Sequence, residues 1–145
     1  MSGLDEGDQH MDGPHSMVDR LVRATNDHDL DELVACFAED YVNETPVHPS
    51  RGFRGRDQVR RNWEQIFEFV PDLRADVLHR ATNGDTAWTE WEMTGTRRDG
   101  SPHCMRGVIV FGVRDGVAAW ARFFLEPVDE RPDTVDEAVR DQVVR

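Results

Sequence analysis

The chain reads as an α+β protein, in which helices from its first half pack on the apolar face of a curved, mainly antiparallel sheet. Three observations point there. Apolar residues recur at helical spacing through the first half, they switch to alternation from residue 73 onward, and each alternating run ends at a tight-turn pair, Asn83-Gly84, Asp99-Gly100 or Asp115-Gly116. Helices first and strands after is the order of an α+β domain rather than of repeated βα units.

Residues 1–14 are rich in Gly, Asp and His and nearly devoid of apolar side chains, so they cannot repay the entropy of ordering and read as a disordered acidic tail. His10, Asp12 and His15 are read as scattered tail residues rather than a metal site. Ser16 is placed as the N-cap of a first helix carrying Met17, Leu21, Val22 and Ala24 or Thr25. Asn26-Asp27-His28-Asp29 breaks it. Asp29 or Asp31 then caps a second helix with Leu30, Leu33, Val34 and Phe37, and the two form a hairpin.

A short strand begins within residues 37–42 and ends before Pro46 and Pro49, and Gly52 and Gly55 mark a loop. Asp57 is expected to cap a third helix whose Val59, Trp63, Ile66, Phe67 and Val70 share a face until Pro71 stops it. Four strands follow, at 73–82, 86–97, 103–113 and 117–126. Residues 134–144 are helix-like but weakly apolar, within an extension (129–145) beyond a domain at 15–128.

At 145 residues one domain with a real core is expected. The net charge of −12 argues against nucleic acid and anionic membranes as partners, because phosphate surfaces are bound by displacing counterions with protein cations. All 17 basic residues are arginine, and aspartate outnumbers glutamate by 18 to 11. A GC-rich genome or a high-salt cytoplasm, bacterial or archaeal, produces such a bias. No apolar run approaches the roughly 20 residues of a membrane span, and the start of the chain is unlike a signal peptide, so a cytoplasmic location is expected. Cys36 and Cys104 lack metal-ligand spacing and are read as reduced.

Sorted by parity, the second long strand turns Ala87, Thr89, Trp91, Met93 and Gly95 inward and Trp88, Glu90, Glu92 and Thr94 outward. The third turns in Met105, Gly107, Ile109, Phe111 and Val113. In the last, Val117, Ala119, Ala121, Phe123 and Leu125 face in, against Ala118, Trp120, Arg122, Phe124 and Glu126. Trp88, Val108, Val110, Trp120 and Phe124 make the outer face apolar enough to demand a partner, and Glu90, Glu92, Arg106 and Arg122 are placed to pair across such a contact. A homodimer through this face is expected, the alternative being that the tail or the C-terminal helix covers it.

Phe37-Ala38-Glu39-Asp40-Tyr41-Val42-Asn43, Gly55-Arg56-Asp57, Val70-Pro71-Asp72-Leu73-Arg74, Gly84-Asp85, Trp91 with Thr94-Gly95-Thr96, Gly107 and Asp115-Gly116 follow one another across residues 15–128. In this order they resemble the SnoaL-like group of the nuclear transport factor 2-like superfamily. The resemblance implies a cone-shaped α+β barrel that holds its ligand between the concave sheet and the helices. The superfamily includes polyketide cyclases, ketosteroid isomerases, limonene epoxide hydrolases and dehydratases, so fold alone does not decide a reaction. For its enzymes the resemblance implies an acid or base, usually Asp, set in an apolar cavity where burial raises its pKa. In cyclase and epoxide-hydrolase relatives that acid projects from the last strand. Here the matching stretch is Ala121-Arg122-Phe123, whose inward positions are apolar; Glu126 falls where the resemblance implies an acid at the strand's end, but parity turns it outward, which leaves it a lesser catalytic candidate.

The polar residues within reach of such a cavity are Tyr41, Asn43, Thr45, His48, Thr89 and the inner-parity His79 and His103. His48 or His79 is expected as general base, with Tyr41 and Asn43 holding a carbonyl, enolate or attacking water. Trp63, Phe67, Trp91, Met93, Met105 and Phe123, with His103, are expected to line a pocket for a small hydrophobic molecule, with Gly107, Ala119 and Ala121 leaving room. His48, His79 and His103 lack ligand spacing, and neither metal nor cofactor is expected. An isomerase, cyclase, dehydratase or hydrolase, a non-catalytic binding domain and a dimerisation module all stay open.

Overall fold

The structure, a computed structural model, describes residues 13–144. The tail residues His10 and Asp12 lie outside the described residues. In chain order the elements are α1 (Pro14–Asn26), α2 (Leu30–Ala35), β1 (Phe37–Glu44), a 3-10 turn (Pro49–Arg51), β2 (Phe53–Arg54), α3 (Arg56–Phe69), β3 (Arg74–Asn83), β4 (Thr86–Thr96), β5 (Pro102–Arg114), β6 (Val117–Pro127) and α4 (Val135–Val144).

Two helix starts differ from expectation. Gly13, not Ser16, is the N-cap of α1, and Pro14 opens the helix, where its fixed φ is already helical and its missing N–H has no acceptor to lose. The cap of α3 is Gly55, at φ 88°, while Asp57 sits in the first turn with its carboxylate near the positive end of the helix dipole. Asp29 caps α2 by accepting from the Glu32 N–H at 3.2 Å.

The six strands form one open sheet in the order β2-β1-β6-β5-β4-β3, antiparallel throughout except for the parallel pair β1 and β6. Helix α1 lies on β3, β4 and β5, and α3 lies against β1 and α2. Met17, Val18 and Leu21 of α1 meet Trp91, Phe111 and Ala75 of the sheet in one core.

Two bulges correct the parity read from the sequence. In β3, Val77 pairs with Trp91 but His79 pairs with Glu90, which leaves Leu78 as the extra residue and turns His79 to the exposed outer face. In β6, Trp120 pairs with Gly112 but Ala118 with Val113, so Ala119 is the extra residue. Ala118, not Val117 or Ala119, therefore faces the core, where it is 0 % exposed. The slip in β6 is not visible in the sequence, because Val117-Ala118-Ala119 offers no polar residue to mark a change of face.

Two glycines of the sheet sit where a side chain would not fit. Gly107 has φ 151°, and a Cβ there would run into the Phe124 carbonyl of β6. Gly95 is the seat of the turn after α3, where a Cβ would strike Val70 and stand 3.0 Å from Asp72 Oδ1. Asp72 Oδ1 in turn accepts from the Thr96 N–H at 2.7 Å, so the Val-Pro-Asp-Leu and Thr-Gly-Thr phrases are two sides of one joint. On the edge strand β3, Asn26 grips the Ala75 backbone in both directions, donating to its carbonyl at 3.0 Å and accepting from its N–H at 2.7 Å.

On the outer face Arg106 donates to Glu92 at 2.7 Å and Arg122 to Glu44 at 3.4 Å, so charges expected to pair across a dimer contact pair within the chain. Cys36 is buried, Cys104 is half-buried, and both are free thiols. Among the described residues no helix is long and apolar enough to cross a membrane.

Candidate functional site

The concave face is filled at one end and hollow at the other. At the filled end Trp91 and Phe111 are 1 % and 0 % exposed, with ring centroids 6.5 Å apart, edge to face. The Trp91 indole N–H donates to Thr89 Oγ at 2.7 Å, and Thr89 donates to the Ile109 carbonyl at 2.6 Å. Thr89 and Trp91 thus complete the core rather than a binding surface. Phe67 also lies outside the hollow, stacked on His28 at 4.4 Å. Nor do Gly107, Ala119 and Ala121 make room for it: Gly107 is closed off by the backbone of β6, Ala119 is a bulge residue, and Ala121 is fully buried.

Further along the strands the sheet and α3 draw apart around a cavity of about 370 Å³, within the range of small-molecule sites. Met93, Met105, Phe123 and Leu125 supply the sheet side, and Val59, Asn62, Trp63 and Ile66 the helix side. Phe37, Phe53 and Leu73 add apolar wall, while Tyr41, Asn43, Thr45, Arg51, His103 and Glu126 add polar atoms. Most of the lining is apolar, so a bound molecule must be apolar over most of its surface.

Tyr41, Asn43 and Thr45 are spaced by two and share the inward side of the chain at the end of β1. Tyr41 is 1 % exposed and donates to Asn43 Oδ1 at 2.7 Å. Burial holds the phenol's pKa well above its ordinary value, so it remains a donor. This bond occupies the Asn43 carbonyl and fixes the amide's orientation. Asn43 Nδ2 keeps only a long contact, 3.5 Å, to Thr45 Oγ, and so has hydrogen-bonding capacity to offer the cavity.

Glu126 pairs in register with Arg106 on the outer side, yet it is among the residues that line the cavity. Strand β1 ends at Glu44, opposite Arg122, so β6 runs on beyond it and the loop at residues 45–52 turns back near its end. From that loop His48 meets Glu126 Oε1 at 2.9 Å, with the two side chains 32 % and 43 % exposed. His48 therefore touches the site through Glu126 and does not itself line the cavity. His79, on the opposite face of the sheet, takes no part.

His103 faces inward opposite Gly95 and closes the far end. Its partial burial, and secondarily the nearby Arg97 charge, lower its pKa below the ordinary 6.5, which favours the neutral ring. Among the described residues no three His, Cys, Asp or Glu side chains stand together as a metal site.

The structure thus gathers Tyr41, Asn43, Thr45, Trp63, Met93, His103, Met105 and Phe123 from the expected set and adds Arg51, Asn62 and Glu126. Asn62 was within reach of sequence reasoning, since it lies three residues after Val59 and four before Ile66 on the same helical face. Glu126 was marked by the family resemblance but set back by its parity, and nothing in the spacing marks Arg51.

Comparisons with known proteins agree with this fold. The SnoaL-like domain family matches residues 18–124. No protein of curated function matches the chain. Among solved structures, a candidate polyketide cyclase from Sinorhizobium meliloti is 26 % identical, with 80 % of this chain and 97 % of that one covered and a TM-score of 0.61. AclR from Streptomyces galilaeus, a candidate hydroxylase, is 18 % identical over 86 % of this chain and 91 % of its own, at a TM-score of 0.71. A protein from Catenulispora acidiphila with a ketosteroid isomerase-like fold, solved with trimethylamine, is 12 % identical over 88 % and 94 %, at 0.66. With the family matched across most of its length, and with the helix-covered curved sheet of these structures, the chain belongs to the SnoaL-like domain family.

Proposed function

We propose that the chain binds a small, mostly apolar molecule in this cavity and acts on it by general acid/base catalysis, with Glu126 as the proton-transferring group. One observation carries the reading: Glu126 is the acidic residue among those described that line the cavity, and its carboxylate meets His48 at 2.9 Å. A ligand carbonyl or hydroxyl would take its hydrogen bond from Asn43 Nδ2, which Tyr41 keeps aimed. Glu126 would then remove or return a proton nearby, with His48 orienting the carboxylate. These roles invert the sequence-based assignment, in which a histidine was the base. They suit isomerisation, aldol cyclisation, dehydration or hydrolysis, all of which move a proton beside a polarised oxygen.

A second reading, a binding domain without catalysis, is favoured by a different observation. The inward positions Ala121, Phe123 and Leu125 of β6 carry no acid, and Glu126 is 43 % exposed rather than enclosed.

Thermal shift against a panel of small alicyclic and aromatic ketones and alcohols tests binding, and at a hundredfold excess over Kd a ligand should stabilise the fold by about 2.7 kcal/mol. Turnover of the ligands so found then separates the readings. Catalysis predicts that Glu126→Gln lowers kcat by roughly 100-fold or more while binding persists. Native protein that binds several ligands and converts none supports the carrier.

A further inference from the structure

The cavity does not end in solvent at His103. Ile66 and His103 form part of its wall and also part of the wall of a separate surface groove, completed by Gln65, Phe69, Val70 and the turn Arg97-Arg98-Asp99. Both residues thus form a shared boundary between the two spaces. On the groove side Phe69 is 54 % exposed, a large apolar surface left in water at the end of α3. Opposite His103 on the inner row is Gly95, which has no side chain because the turn after α3 rests on it. The imidazole therefore has no side chain from that β4 position to brace it. Among the hydrogen bonds of the described residues none involves the ring of His103, and displacing it breaks no such bond.

We infer that cavity and groove are two halves of one channel for an elongated apolar molecule, and that His103 sets how long a molecule the chain accepts. The inference rests on the reading of the cavity as a ligand site. The polar head would sit between Asn43 and Glu126, and the apolar tail would run under Trp63 and Ile66 toward His103. A tail longer than the cavity must displace the imidazole to reach Phe69 and Val70. A hydrocarbon chain suits this path because the cavity is walled mainly by apolar side chains and the groove continues from Ile66 along Phe69 and Val70.

A series of straight-chain methyl ketones, from about six to about sixteen carbons, tests the length limit by thermal shift and calorimetric titration. In the native chain affinity should rise with length and then drop sharply. His103→Ala should move the drop outward by several carbons, with the first excluded ketone gaining about tenfold or more in affinity. Ile66→Ala opens the same wall from the helix side and should act in the same direction, whereas His103→Trp, which thickens the wall, should move the drop inward. Short ketones serve as the check that each variant keeps its cavity. If short ketones bind and the limit stays at the native length in the folded variants, the inference is overturned while the ligand-site reading stands. If no ketone binds the native chain, the ligand-site reading fails and this inference with it. Native protein that binds the longest ketones as well as the shortest also overturns it.

Discussion

At Asn43 the side-chain amide has two orientations, and the Tyr41 hydroxyl selects one by donating to Oδ1 at 2.7 Å. Tyr41→Phe keeps the ring but leaves that oxygen without its donor. It should cost about 1–3 kcal/mol in denaturant unfolding and also weaken ligand binding, since the amide loses its fixed aim. A variant that is destabilised but binds normally would confine Tyr41 to the core. Gly107→Ala asks a separate question, because an added methyl meets the β6 backbone rather than a movable side chain. A loss of about 1–3 kcal/mol or more is expected by urea titration. The ladder of Tyr41, Asn43 and Thr45 was legible in the sequence because alternation at the end of β1 is regular. Glu126 was not, because where a strand outruns its neighbour its side chain can turn round the edge, and parity cannot say so.

At the scale of elements, the joint between the turn after α3 and the end of β4 explains why two short phrases distant in sequence belong together. Asp72 receives the Thr96 N–H, and these hydrogen bonds hold its pKa below the ordinary 3.8. A depressed folded pKa means that this contribution is full above the ordinary carboxylate value and is lost as pH falls through the lower folded value. Asp72→Asn should therefore flatten part of the fall in stability between about pH 5 and pH 2, measured as urea midpoints along that range. An unchanged acid limb would show that the joint does not depend on the charge. Element order, turn positions and most inward faces were legible because they rest on periodicity and turn chemistry. The bulges at Leu78 and Ala119 were not, since one extra residue resets parity without changing composition, and this moved His79 from expected base to outer surface.

For the whole molecule, the two faces of the sheet divide the work. The concave face supplies the core and the cavity. On the convex face Trp88 and Phe124 are 52 % and 40 % exposed, and neighbouring charges are already paired within the chain through Glu92 with Arg106 and Glu44 with Arg122. With these two ion pairs already made, the apolar patch around them can be buried with few charges stranded, so we propose that two copies join there. Sedimentation at micromolar concentration should give a dimer, and Trp88→Glu a monomer that still binds ligand; a native monomer would refute the pairing.

The side-chain amide of Asn43 reports on the cavity itself. In a 15N-labelled sample titrated with a ketone that stabilises the fold, the account predicts saturable shifts of the Asn43 side-chain N–H pair, with the Trp88 indole signal unmoved. Stabilisation that leaves the Asn43 pair in place while the Trp88 signal shifts would put the ligand on the outer face and contradict the account.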